Sequence, residues 1–231
     1  KVDFAPYADV DKKRAQAIIN LARKAGRKAL TELEAKSLFA CYGLPVTKSC
    51  LARTEDEAIK YSQEIGYPVV LKIVSPDILH KSDAGGVRVN LRDADAVRTG
   101  FRTIMENAKR YKADADIHGI LVCEMAPLGS EVIVGSVNDA TFGPTVMFGL
   151  GGVFVEVLKD VTFRVAPISI ACALAMQQEI KGYPMLQGVR GEKRRDQDSL
   201  ASVLSRLSQL VADLDDEIAE TDANPILLYE E

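Results

Sequence analysis

Two neighbouring segments restrict what this chain can fold into more than any other feature. Tyr67 to Val74 (YPVVLKIV) is a continuous apolar run broken only by Lys72, and Gly86 to Leu91 (GVRVNL) alternates strictly between apolar and polar residues. The first pattern predicts a strand buried on both faces, the second a strand with one open face. With only a polar, glycine-ended loop between them, the two are expected to pair back on each other. An antiparallel hairpin here is not the βαβ unit of a Rossmann sheet. The chain also lacks G-x-x-x-x-G-K-[ST] and G-x-G-x-x-G, so the two commonest nucleotide fingerprints are missing.

The flanking sequence supports a mixed α+β fold. Residues around Val10 to Ala25 predict a helix stopped by Gly26. Thr31-Glu32-Leu33-Glu34 and Thr54-Glu55-Asp56-Glu57 are capping boxes, opening helices that end near Gly43 and Gly66. Asp93 is expected to cap a helix to about Tyr111. Strands are predicted over Ile120 to Met125, Glu131 to Val137 and Thr145 to Phe148. A glycine-rich turn (149–152) should lead into a further strand over 153–158. Helices near Ser169 to Ile180 and Ser199 to Leu214 come next, with a last strand over Glu217 to Tyr229.

Composition narrows the partners. A formal charge of −4 leaves no basic excess to neutralise phosphates of a nucleic acid. No stretch nears the roughly 20 apolar residues of a bilayer span, so neither nucleic acid nor membrane is an expected partner. Cys41, Cys50, Cys123 and Cys172 stand far apart without C-x-x-C spacing. Zinc and a disulfide framework are not expected, and the compartment reads as reducing and cytoplasmic. The chain starts at Lys1 without an initiator Met, which reads as trimming or as a fragment of something longer.

Four constellations offer chemistry, each beside a plainer reading. His80, one of two histidines, sits in Ile78-Leu79-His80-Lys81-Ser82-Asp83-Ala84-Gly85-Gly86. Neutral imidazole is a good nucleophile near pH 7, and paired glycines let backbone amides approach an anion; the plainer reading is a surface loop. Lys72 inside an apolar strand needs an anion if buried, or else snorkels from an edge strand. Glu124 and Glu131 flank a short link and offer acceptors for an amine or hydroxyls, although strand ends often carry acids. Asp222 and Asn224, two apart on an extended segment, share a face and offer oxygens suited to magnesium, while Asn-Pro also starts turns.

Taken together, LTELEAKSLFACYGLPV (30–46), YPVVLKIVSPDILHKSDAGGV (67–87), EVIVGSVNDATFGPTVMFGLGGVFVEVLKDVTFRVAP (131–167), LQGVRG (186–191) and ETDANP (220–225) resemble the ATP-grasp β subunits of the NDP-forming acyl-CoA synthetase superfamily. The likeness is to ADP-forming acetyl-CoA synthetases, and more distantly to succinyl-CoA synthetase β subunits. The resemblance implies an α+β ATP-grasp fold over 1–231, with two lobes near 45–122 and 123–231 and residues 1–44 packing on the second. ATP or ADP would lie between the lobes with Mg2+. Lys72, Lys81, Gly85 and Gly86 would meet phosphates, Glu124 and Glu131 would line the adenine and ribose pocket, and Asn224 with Asp222 would hold the metal. His80 would be transiently phosphorylated and Asp222 would steady it. The implied reaction is acyl-CoA + ADP + phosphate ⇌ carboxylate + CoA + ATP. It requires a CoA-binding α subunit or fused domain, hence a hetero-oligomer when the two are separate. In relatives a later aspartate completes the metal site, and this chain reaches Glu231 before one appears. A regulatory nucleotide sensor fused to an acyltransferase-type module, and an ATP-grasp ligase without a histidine relay, stay open as alternatives.

Overall fold

The computed structural model describes residues 4–78, 80–152, 158–189 and 191–231. The chain packs as two compact units: Arg27–Lys36 with Val46–Pro127, and Lys1–Gly26, Ser37–Pro45 with Leu128–Glu231. Both are α+β. Their bounds depart from the expected lobes in two ways. The division falls after Pro127, because the strand that closes the first unit runs on to Glu124. Residues 27–36 also belong with the first unit and not with the rest of 1–44.

In that unit β1 (Ser49–Ala52), β2 (Val69–Val74), β3 (Val87–Leu91) and β4 (Gly119–Glu124) form an antiparallel sheet in the order β1-β4-β2-β3. The hairpin predicted from Tyr67 to Leu91 is present, with Lys72 opposite Val87 on one side and Leu121 on the other. β2 is not buried on both faces, however. Val69, Leu71 and Ile73 are buried, while Val70, Lys72 and Val74 are partly open. Helices α3 (Glu55–Ile65) and α4 (Ala94–Tyr111) cover one face, where Ala58, Val97, Phe101 and Ile104 meet those three side chains. Burying one such aliphatic side chain stabilises by about 1.5 to 3 kcal/mol. β1 was not predicted: it is four residues long and only Ala52 is buried, so its sequence carries little pattern.

The caps form as the residue types dictate. Thr54 Oγ1 accepts from Glu57 N at 3.2 Å, and Asp93 accepts from Ala96 N at 2.8 Å. Helix α2 (Glu32–Cys41) opens with the reciprocal bonds of a capping box: Glu34 N donates to Thr31 Oγ1 and Thr31 N to Glu34 Oε2.

The second unit holds β5 (Ser130–Asp139), β6 (Gly143–Leu150), β7 (Val161–Val165) and β8 (Glu220–Leu228), antiparallel in the order β7-β6-β5-β8. α5 (Ile170–Glu179) and α7 (Gln197–Asp213) pack against this sheet, with Phe148, Met176, Leu200 and Leu204 fully buried. A short α6 (Tyr183–Gln187) links them. α1 (Lys12–Lys24) is joined to the end of this layer by Lys12–Asp213 and Arg23–Glu217 ion pairs. Of the strand expected over 153–158, residues 153–157 lie outside the described residues; β7 was not foreseen. Among the described residues no helix is long and apolar enough to cross a membrane, and all four cysteines are free.

Candidate functional site

The β2–β3 loop is a tight turn held from below. Asp77 accepts from Lys112 Nζ at 2.6 Å and from Asp116 N at 2.7 Å. Ala84 N donates to His80 O, Gly85 N to Ser82 O and Gly86 N to Lys81 O, at 3.2, 3.0 and 2.7 Å. His80 is exposed at the head of this turn. The expectation that Gly85 and Gly86 offer their amides to a phosphate is not met here, because both amides are used inside the turn. The glycines serve close approach instead. A Cβ on Gly86 would lie 2.5 Å from Ile73 Cγ2, and one on Gly85 2.6 Å from Asn107 Nδ2, whose amide donates to Gly85 O.

Lys72 lies on a central strand, which removes the edge-strand reading, and the anion it needs is present. Glu32, in the first turn of α2, bridges two lysines: Lys72 Nζ donates to Oε1 at 2.8 Å and Lys81 Nζ to Oε2 at 3.0 Å. Lys36 Nζ stands 3.3 Å from Oε1 and also donates to Thr47 Oγ1 and Ser49 Oγ. Burial pushes the Glu32 carboxyl upward, but the Lys72 hydrogen bond and charge, then those of Lys81, outweigh it and hold the group down at about 2. The carboxylate is therefore ionised at any physiological pH. Sequence reasoning missed Glu32. Its only local signal was being the second acid in a capping box whose capping role Glu34 fills.

Glu124 ends β4, where its carboxylate accepts from Lys48 N at 3.1 Å. Glu131, in the other unit, stands on β5 opposite Leu227 and is exposed. In that same unit Glu220, Asp222 and Asn224 are exposed at alternate positions along β8, so the predicted shared face is real. Asn224-Pro225 is not a turn. It lies inside the edge strand, where the register shifts between the pairs Val132–Ile226 and Val134–Ala223. Across the sheet, Asp222 aligns with Gly135, Met147 and Phe163. This row runs from a carboxylate to an exposed aromatic ring. Local burial, then the charge of Glu220, raise the Asp222 carboxyl above its ordinary range; Glu220 is a second residue the sequence reading did not single out.

Among the described residues no group of three or more His, Cys, Asp or Glu side chains could enclose a metal. The oxygens of Asp222 and Asn224 fit instead a hard cation that keeps waters or phosphate oxygens as its other ligands.

Comparison with known proteins gives a consistent picture. Residues 21–231 match the model of an ATP-grasp domain family. The β subunit of acetate–CoA ligase (ADP-forming) I from Pyrococcus furiosus is 54% identical, covering 94% of this chain and 93% of that protein. The 4-hydroxybutyrate–CoA ligase (ADP-forming) of Nitrosopumilus maritimus is 49% identical over 96% of this chain, which spans only 32% of that longer protein. Among solved structures, acetyl-CoA synthetase 1 of Ca. Korarchaeum cryptofilum, in complex with coenzyme A and Ca-AMPCP, superposes with a TM-score of 0.90 at 50% identity, with 94% of each chain covered. The β subunit of succinate–CoA ligase from Haloarcula marismortui is a more distant relative at 32% identity.

Proposed function

Because the chain belongs to the ATP-grasp family, we propose that it is the nucleotide-binding, phosphoryl-transferring part of an ADP-forming acyl-CoA synthetase, with acetyl-CoA as the first substrate to test. The observation that carries this reading is the pairing of Lys72 with Lys81. Both are gathered at the Glu32 carboxylate, and Lys81 directly follows the exposed His80 in the chain, which is charge suited to a phosphoryl group in transit. Identity of 54% to an acetate–CoA ligase β subunit supports the reaction class. A structure of the Korarchaeum relative holds Mg-AMPPCP with its phosphohistidine segment directed toward the nucleotide site.

In the direction of ATP synthesis, an oxygen of the ADP β-phosphate attacks the phosphorus of phosphorylated His80. The P–N bond breaks, and the imidazole leaves with its electron pair and regains neutrality. Lys72 and Lys81 offset charge on the moving group, and such chemistry depends mainly on positioning and charge. Asp222 with Asn224 would hold Mg2+, which supplies charge neutralisation at the phosphates. Glu124 and Glu131, each on its own unit, offer carboxylate acceptors that would suit an amine or hydroxyl of a nucleotide. The acyl phosphate arises on a CoA-binding partner subunit or fused domain, as the longer Nitrosopumilus relative suggests.

The test is ATP formation from acetyl-CoA, ADP and phosphate after adding a CoA-binding partner subunit. Wild type should turn over and form an acid-labile phosphate on His80, while His80→Asn should lose both. Turnover by His80→Asn would favour a ligase without a histidine relay. Nucleotide binding without turnover would favour a regulatory sensor.

A further inference from the structure

We propose that Glu32 is a positioning residue: one carboxylate that locks the Lys72 and Lys81 ammoniums into a fork and ties the His80 turn to helix α2. The inference rests on the reading above for its catalytic consequence, but its structural part stands by itself. Each lysine meets a different oxygen of Glu32, at 2.8 and 3.0 Å, so the carboxylate is a bridge and not a simple pair. The three partners come from residues 32, 72 and 81, on a helix, a central strand and a loop. Lys81 adjoins His80, and its carbonyl closes the turn by accepting from Gly86 N at 2.7 Å. Glu32 is thus the point at which α2 fixes the loop through the side chain of Lys81.

The charge count gives the bridge a purpose. Lys36, Lys72 and Lys81 surround one carboxylate, leaving two positive charges in excess. A phosphoryl group carries about −1.5 to −2 at neutral pH, so the surplus matches the group His80 would carry. Donor counting agrees. An ammonium has three N–H groups. Lys36 directs its three at Thr47 Oγ1, Ser49 Oγ and Cys123 Sγ, and is therefore anchored beside Glu32 as an ion pair at 3.3 Å. Lys72 and Lys81 each use one on Glu32 and, among the described residues, keep two for a ligand. Their side chains are 31% and 30% exposed, so a ligand can reach them. Glu32 need not leave when phosphate arrives. It holds two long, flexible cations close together against their mutual repulsion, a preorganisation they could not supply alone.

The experiment is Glu32→Gln in the chain combined with its CoA-binding partner, with two independent readouts. Hydrogen exchange of the Ala84, Gly85 and Gly86 amides reads the tie directly, whatever the enzyme does. Exchange should quicken by about tenfold or more in Glu32→Gln and equally in Lys81→Ala, with global stability matched by urea titration. Unchanged exchange would overturn the tie. In turnover, kcat for ATP formation should fall by about ten- to a hundredfold, in line with the cost of loosening a catalytic geometry. KM for ADP should stay level or drop, since the unpaired lysines still attract phosphate. Glu32→Asp, too short to bridge both lysines, should recover only part of kcat. Unchanged kcat with a lower KM would identify Glu32 as a displaceable plug and refute positioning. A wild-type complex that makes no ATP would instead defeat the functional reading, while the exchange result would still judge the tie.

Discussion

Acid should separate wild type from Glu34→Gln in a way that tests the electrostatics of α2. Glu34 is gripped by Arg27 through both oxygens, at 2.8 and 2.6 Å, and accepts from Thr31 N and Oγ1. The Arg27 hydrogen bonds lower its carboxyl most; burial opposes them, and the Thr31 bonds assist, leaving it at about 2 against an ordinary 4.5. That gap corresponds to about 3 kcal/mol as an upper bound. The two side chains are 26% and 28% exposed, so solvent screening reduces the figure to about 1 to 2 kcal/mol. Because the folded-state value lies below the unfolded one, the unfolded chain takes up the proton first. The stabilisation is complete above the unfolded value and is lost as pH falls from about 4.5 toward 2. Glutamine keeps an oxygen for Thr31 N, but removes the charge and replaces the oxygen that accepts from Arg27 Nη2 by an NH2 donor. Urea titrations should therefore show Glu34→Gln less stable by about 1 to 2 kcal/mol at pH 7, with more than half of that difference gone at pH 3. A 13C titration of the Glu34 carboxyl should find its midpoint well below 4. A stability gap independent of pH, or a midpoint near 4.5, would refute the argument.

Two further outcomes follow from packing and charge. Gly86→Ala places a methyl 2.5 Å from Ile73 Cγ2 and 3.0 Å from Lys81 O, so overpacking should cost about 1 to 3 kcal/mol in urea unfolding and displace the His80 turn. An unchanged unfolding midpoint would show that the loop yields freely. Asp222→Asn relieves the burial and the Glu220 repulsion that raise that carboxyl. Thermal melts should show it as stable as wild type or better by a few tenths of a kcal/mol, screened as the site is, while ATP formation is lost. A variant that kept full turnover would remove Asp222 from the proposed machinery.

Local structure was legible in the residues because its causes are local. The Thr31, Thr54 and Asp93 caps each lie within three residues of the amide they bond, so the starts of α2, α3 and α4 are written in short motifs. The hairpin around Lys72 and the shared face of Asp222 and Asn224 follow from the two-residue period of a strand. Motif order also carried the family, which the ATP-grasp match over 21–231 bears out.

Other features depended on what packs where. An apolar run does not state how many faces will be covered, so β2 reads as doubly buried, yet helices cover only the side of Val69, Leu71 and Ile73. Gly85 and Gly86 looked like an anion cradle because glycine permits one. The fold uses their smallness to seat the turn on Ile73 and Asn107, and uses their amides within it. The counter-anion of Lys72 was beyond any local reading, because Glu32 lies 40 residues away from Lys72 and 49 from Lys81. The sequence by itself determined that a lysine in such a strand must either find a negative charge or reach solvent, since an unpaired buried cation is too costly. Only the tertiary structure decided that one carboxylate would serve two lysines, because chain folding alone brings a helix, a strand and a loop to a single point.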